Sequence, residues 1–314
     1  MQERVFLTVD SGGSKTKFSL YTLFGTLIKS VDCEGFGRAA DNNESLPALS
    51  MALKDFCREF SPEVIVCNLG GKNKKQVFKT IQESFPNSKV LLFRESEGEI
   101  GRLLCEIYDA QVTLMAGTGS IAIAPIGNDT IIAGGWGANV SDKGSGYQLG
   151  LEAIRHILEE FDGTNEFSML AQKILGEQYP PKLLTAQEYC DYRDRVRQKI
   201  APLERSHIAS YAKIVYDCAE NGDSVSLLLY KTVGKDLAEL VRSAIIKTGN
   251  PLLNVVVTGG MVHAKKFWQE SFENRLKEFY DIQKVVYTTD GIDTAMRIIA
   301  KKEIQELKIC FQKA

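Results

Sequence analysis

Apolar and polar positions follow two rhythms along this chain. Short apolar runs bounded by turn residues predict buried strands, and apolar residues three or four apart predict helices. Val5–Val9 is the first run, followed at once by Asp10 and a glycine-rich turn; Lys17–Tyr21 and Thr26–Asp32 then complete a three-strand meander. Leu46, Leu49, Leu53, Phe56 and Phe60 predict a helix over Ser45–Phe60. A strand over Val64–Leu69, a helix over Lys72–Phe85, a strand over Val90–Phe93 and a helix over Ser96–Ile107 follow.

The order βββαβαβα is that of a ribonuclease-H-like unit, and the pattern then restarts. Gln111–Ala116, Ile121–Pro125 and Ile131–Ala133 form a second meander, whose first turn is Gly117-Thr118-Gly119-Ser120. A helix opens near Asp142–Gly146 and runs to about Phe161. Asn165–Lys247 is mostly helical, with Leu227–Lys247 the longest helix. Val255–Val257 leads into Thr258-Gly259-Gly260, a helix starts near Ala264, Val285–Thr288 is the last strand, and Ile292–Gln312 is a terminal helix. The expected fold is α/β, with two ribonuclease-H-like domains. The first spans about 1–115 and is joined by the terminal helix, about 292–314. The second spans about 116–291, with a helical insertion over about 165–250.

Composition narrows the function classes. At 314 residues there is core for two domains, and 44% hydrophobic with 25% charged residues is ordinary for a globular protein. A net charge of −2 gives no electrostatic case for nucleic acid or an anionic membrane surface. No apolar run approaches the roughly 20 residues that span a bilayer, and MQERVFLTVD lacks a signal peptide's basic and apolar regions. Seven scattered cysteines, none spaced CxxC, read as buried free thiols of a cytoplasmic protein, and three distant histidines argue against zinc.

The candidate chemistry sits where strands end, since ligands of partly parallel sheets lie beyond the strands' C-terminal ends. Gly12 and Gly13 allow a turn that aims backbone N–H groups at an anion, with the Ser11, Ser14 and Thr16 hydroxyls beside it. Asp10 is placed to hold a hydrated Mg²⁺ near phosphates. A second strand follows the turn, which excludes a Walker loop, whose GxxxxGK[ST] opens a helix. Gly70–Gly71 and Glu95 follow later strands and are expected at the same cleft as Asp10.

DSGGSKT, the central GTGS, GGWG followed by an acidic DxGSG, and a late VVVTGG appear in order, each after a strand. Together they resemble the phosphate, sugar-side and adenosine motifs of the actin/hexokinase/Hsp70 superfamily. Within it the chain most resembles N-acetylglucosamine kinases and BadF/BadG/BcrA/BcrD-type ATPases. That resemblance implies two lobes with ATP and Mg²⁺ between them. Ser11, Gly12, Gly13, Ser14, Lys15 and Thr16 would form one phosphate turn, and Gly117, Thr118, Gly119 and Ser120 the other. Thr258, Gly259 and Gly260 would lie against the adenosine. Gly71, Gly135, Trp136, Gly137 and Asp142 would bind an amino sugar, with Glu95 as catalytic base and sugar contact beside the metal-organising Asp10. Four positions depart from the family pattern: Glu95 stands for its Asp, Lys143 for an acid, Arg38-Ala39-Ala40 for a sugar-binding Asn, and Lys72 follows the glycine pair. Glu97 and Glu99 read as charges at a helix start.

The implied function is ATP-dependent phosphorylation of N-acetylglucosamine, glucosamine or a related sugar, by a monomer or a homodimer. Two alternatives stand beside it. One is an ATP-driven activator of a dehydratase or reductase, which would carry a cluster-binding cysteine directly after a DK dipeptide; here Gly144 follows Asp142-Lys143. The other is a nucleotide- or sugar-binding sensor without turnover.

Overall fold

The computed structural model describes residues 4–11, 15–34, 45–70, 74–92, 97–137, 140–163, 167–176, 185–200, 204–249 and 252–313. The chain divides into two compact units, the first built from 1–104 with 290–314 and the second from 105–289.

Unit 1 contains β1 (Val5–Ser11), β2 (Lys15–Thr22), β3 (Leu27–Glu34), α1 (Ser45–Phe56), β4 (Pro62–Leu69), α2 (Lys74–Ser84), β5 (Lys89–Leu92), α3 (Glu97–Tyr108, which crosses the boundary) and α10 (Gly291–Lys313). Its sheet runs β3-β2-β1-β4-β5, with β1 antiparallel to β2 and parallel to β4. The almost unbroken apolar character of β1 follows from its central place. Val5, Leu7 and Val9 pack with Leu49, Leu53, Val77 and Ile81 of α1 and α2. Thr8, on the opposite face, donates to Asp293 of α10 at 3.2 Å.

Unit 2 contains β6 (Val112–Ala116), β7 (Ser120–Ile126), β8 (Asp129–Gly134), α4 (Gly146–Phe161), α5 (Met169–Leu175), α6 (Ala186–Ile200), α7 (Arg205–Glu220), α8 (Ser224–Ile245), β9 (Leu252–Thr258), α9 (Lys265–Lys277) and β10 (Asp281–Thr288). Its sheet order, β10-β9-β6-β7-β8, repeats that of unit 1 strand for strand: an antiparallel three-strand meander with two parallel strands added beside its first member. Trp268 anchors the core, fully buried, its indole N–H donating to the Met261 carbonyl at 3.0 Å and Phe272 meeting it edge-on.

Several element ends differ from the sequence reading. β1 continues through Asp10 and Ser11, and β2 begins at Lys15, because Asp10 pairs with Lys17 and Ser11 with Thr16. The residues between the two strands, 12–14, lie outside the described residues. α1 stops at Phe56, and Phe60 packs on the unit 1 core from the turn beyond. α10, at 23 residues, exceeds α8, at 22. Of the described thiols, Cys57, Cys67, Cys105 and Cys218 are buried, Cys33 is partly so, and Cys190 is exposed. Among the described residues no helix is long and apolar enough to cross a membrane.

Gly234 is where α8 and α9 meet at backbone distance: a Cβ there would lie 2.4 Å from the Trp268 carbonyl oxygen and 2.9 Å from the Phe272 nitrogen. Gly234→Ala should destabilise the protein by ~1–3 kcal/mol, the usual cost of overpacking. A urea-unfolding midpoint equal to that of the wild type would refute this contact.

Candidate active site

In unit 1 the sheet register assembles a carboxylate site. Asp10 and Asn68 stand opposite each other on β1 and β4, so their side chains share a face, and Asn68 Nδ2 donates to Asp10 Oδ1 at 2.8 Å. Burial pushes the Asp10 carboxyl up from its ordinary 3.8, and nearby Asp293 adds to this; the Asn68 hydrogen bond, Lys17 and Lys15 oppose it. Asp293, in the first turn of α10, accepts from Thr8 and Tyr21 and pairs with Arg297 at 3.3 Å. Ser11 and Thr16 are buried at the hairpin end, their hydroxyls 2.8 Å apart and bonded to each other. Lys15 is mostly exposed and pairs with Asp32 at 2.9 Å. Gly12, Gly13, Ser14, Gly71 and Glu95, with the departures at Arg38-Ala39-Ala40 and Lys72, lie outside the described residues. Glu99 is exposed in the first turn of α3.

In unit 2 four sequence motifs converge. β6 and β9 are parallel neighbours, so the turns that leave their C-terminal ends, Gly117–Ser120 and Thr258–Gly260, emerge side by side. Gly259 makes this approach feasible. Its φ is +102°, and a Cβ on it would sit 2.4 Å from the Ala116 carbonyl oxygen. Gly260 is different: a Cβ there would meet nothing within 4 Å, while its own nitrogen lies 3.8 Å from where a Gly117 Cβ would stand. The third motif adjoins the first through Gly135 N–H, which donates to the Ser120 carbonyl at 3.0 Å. Gly134, Gly135 and Gly137 all have positive φ, and Trp136 among them is 74% exposed, so its indole belongs to no core.

The fourth motif closes the site. Ser145 caps α4 by accepting from Gln148 N–H at 3.1 Å, and Gly146 N–H reaches the Gly117 carbonyl at 2.8 Å. Ser120 Oγ donates to the Lys143 carbonyl at 2.7 Å, and Gly117 N–H to the Gly119 carbonyl at 2.8 Å. These groups are thus engaged in holding the turns to one another. Asp142 is buried, its carboxylate bound at 2.6 Å by Arg205 from the start of α7. Sequence reasoning missed Arg205, which lies 63 positions away with no motif around it.

A Cβ-free, open face at Gly260 beside the Gly117 turn fits close approach by a nucleotide. The part-buried carboxylate of Asp10, one oxygen of which already accepts from Asn68, fits a hydrated divalent cation better than a fully protein-bound one. Among the described residues no cluster of three or more His, Cys, Asp or Glu side chains could hold a metal by itself.

Two mixed sheets of one topology, with glycine turns after β6 and β9 in the second, define a protein of the actin-like ATPase fold. The chain belongs to the BadF/BadG/BcrA/BcrD ATPase family, whose model matches residues 7–292, and ATP use comes with that membership. It is 23% identical over 321 aligned residues to an N-acetyl-D-glucosamine kinase of Dictyostelium discoideum, covering 92% of this chain and 95% of that one. It is 22% identical to an N-acetylmuramic acid/N-acetylglucosamine kinase of Clostridium acetobutylicum, with 94% and 97% covered. Among solved structures, a candidate N-acetylglucosamine kinase from Chromobacterium violaceum superposes with a TM-score of 0.66 at 19% identity, with 96% and 100% covered.

The raised Asp10 carboxyl yields a stability prediction. A carboxylate whose folded-state affinity for protons exceeds its unfolded one destabilises the fold once ionised. The penalty is absent below 3.8 and complete above the raised folded value. Asp10→Asn should therefore raise the melting temperature of the ligand-free protein at pH 7 and lose that gain as pH falls toward 3.8. Thermal melts across this range check it; a gain that does not depend on pH would contradict the burial effect.

Proposed function

We propose that this chain is an ATP-dependent kinase that phosphorylates N-acetylglucosamine, glucosamine or a related sugar. The observation that carries the reading is the convergence in unit 2 of the Gly117–Ser120, Gly134–Gly137, Asp142–Gly146 and Thr258–Gly260 segments. The names of the two curated relatives, which align over nearly the whole chain, support the same substrate class.

MgATP supplies the phosphoryl group, and this chain positions it. Gly260 lets the adenosine lie against bare backbone, and the Gly117–Ser120 turn faces the phosphates. Asp10, whose Oδ1 accepts from Asn68 Nδ2, would hold the hydration shell of Mg²⁺. On the sugar side, Gly135 and Gly137 present backbone, the exposed Trp136 offers a face to the ring, and Asp142, buried beside them and bound by Arg205, is the carboxylate assigned to the sugar hydroxyls. Gly71 adds a sugar contact. Glu95 takes the proton from the attacking hydroxyl. Phosphoryl transfer asks mainly for such positioning and charge neutralisation. The protein works in the cytoplasm, as a monomer or a homodimer.

The dehydratase-activator alternative meets a steric obstacle. At Gly144, where a cluster cysteine would follow Asp142-Lys143, φ is +76° and a Cβ would collide with Leu237 at 2.6 Å.

MgATP should raise the melting temperature of the wild type, because it binds only the folded state. Gly260→Val should remove that shift by filling the open face, and a wild type indifferent to millimolar MgATP would overturn the ATP-binding reading.

In a coupled ADP-release assay over a panel of amino sugars and hexoses, one amino sugar should stimulate turnover. Glu95→Gln should cut that turnover ~10²–10⁴-fold with nucleotide binding retained, and Glu95→Asp should keep substantial activity. Wild-type binding of both ligands without phosphate transfer would mean that the protein is a sensor.

A further inference from the structure

Arg205 has a position that pairing with Asp142 does not by itself explain. Its Nη2 donates to Asp142 Oδ2 at 2.6 Å, yet the Arg205 side chain stays 40% exposed while that of Asp142 is 2% exposed. A Cβ on Gly119 would lie 3.1 Å from Arg205 Nη2 and 3.3 Å from Asp142 Oδ2. The guanidinium therefore rests directly against the second glycine of the Gly117–Ser120 turn, which makes room for it by having no side chain. Its carbon also stands 5.9 Å from the centre of the Tyr147 ring, and Tyr147 N–H binds the Thr118 carbonyl at 3.3 Å. Turn, ring, carboxylate and guanidinium form one connected piece of unit 2.

A guanidinium has five N–H donors in a fixed plane. The bond to Asp142 fixes that plane, and nothing about it requires the remaining donors to face inward. A carboxylate that is nearly fully buried acts here as an anchor, and the partly exposed cation beside the turn is the end left to meet a ligand. Planar guanidinium is suited to phosphate oxygens, to which it can offer two parallel hydrogen bonds.

We propose that Arg205 binds the phosphate oxygens of the nucleotide at the Gly117–Ser120 turn, with Asp142 as the residue that holds it in place. This rests on the ATP-binding reading above and adds a residue to it. Asp142, assigned above to the sugar side, then also orients Arg205, so acceptor and nucleotide sites share a carboxylate.

The test is calorimetric titration of wild type, Arg205→Ala and Arg205→Lys with ADP, with a non-hydrolysable ATP analogue and with adenosine. Losing a charge-assisted bond to phosphate should weaken ADP and the analogue by roughly 10–100-fold in Arg205→Ala and leave adenosine affinity unchanged. Arg205→Lys should recover part of the loss, since it keeps the charge without the planar fork. Circular dichroism would report whether Arg205→Ala folds; should it not, Arg205→Lys carries the test, with weaker ADP and unchanged adenosine as the expected result. Equal loss for ADP and adenosine would mean that Arg205 only supports the fold, and would overturn the proposal. So would unchanged nucleotide affinity with a raised KM for a carboxylate-bearing sugar alone, which would assign the cation to the acceptor. If the wild type bound none of the three nucleotide ligands, the ATP-binding reading and this proposal would fail together. If it bound them and both variants bound equally well, this proposal alone would fail.

Discussion

The site in unit 2 depends on how closely the chain passes over the end of β6 as it leaves β9. Parallel neighbours ordinarily stand about 4.8 Å apart, which leaves room for side chains above and below the sheet but not for one that folds back across the next strand. Gly259 does fold back, with φ of +102° and its missing Cβ directed at the Ala116 carbonyl. Any L-residue there would strain the backbone and strike the neighbouring strand together. From this one approach the rest follows. The turn after β9 lies beside the turn after β6, α4 starts against the Gly117 carbonyl, and Ser120 reaches the Lys143 carbonyl from the other side.

That construction uses up polar groups. The Ser120 hydroxyl, the Gly117 N–H and the capping hydroxyl of Ser145 all bind other parts of the scaffold. In unit 1 the Ser11 and Thr16 hydroxyls bind each other. A Gly/Ser/Thr-rich turn is easily read as a set of ligand donors, but here several of its donors keep the turns in place. Around them Gly260, Trp136 and part of the Arg205 side chain remain exposed. A site whose scaffold satisfies its own hydrogen bonds is already organised before the ligand arrives, which is what electrostatic positioning requires.

Much of this was legible in the sequence, for local reasons. Apolar runs such as Val5–Val9 and Val64–Leu69 are continuous because those strands are covered on both faces, and such runs stand out. Within the glycine motifs, Gly134, Gly135, Gly137, Gly144 and Gly259 have the positive φ that favours glycine, whereas Gly117, Gly119 and Gly260 do not. What escaped was non-local. Nothing near Arg205 announces a partner 63 residues earlier, and nothing in DSGGSKT tells whether Ser11 and Thr16 belong to turn or strand until their pairing across the hairpin is known. The identical strand order of the two sheets was visible only as a repeated rhythm, since the residues themselves have diverged.

The discontinuity of unit 1 has a consequence for synthesis. Unit 2 is one uninterrupted segment, 105–289, whereas unit 1 needs residues from 290 onward. α10 covers β1 and β4, and its Asp293 receives the Thr8 and Tyr21 hydroxyls. On the ribosome, the strands of unit 1 must therefore wait for a helix made after the whole of unit 2. Through that interval unit 1 presents an apolar sheet face without its cover, while unit 2 already has every residue it needs. The order of completion is thus the reverse of the order of translation: unit 1, which carries Asp10, is begun before unit 2 and finished after it.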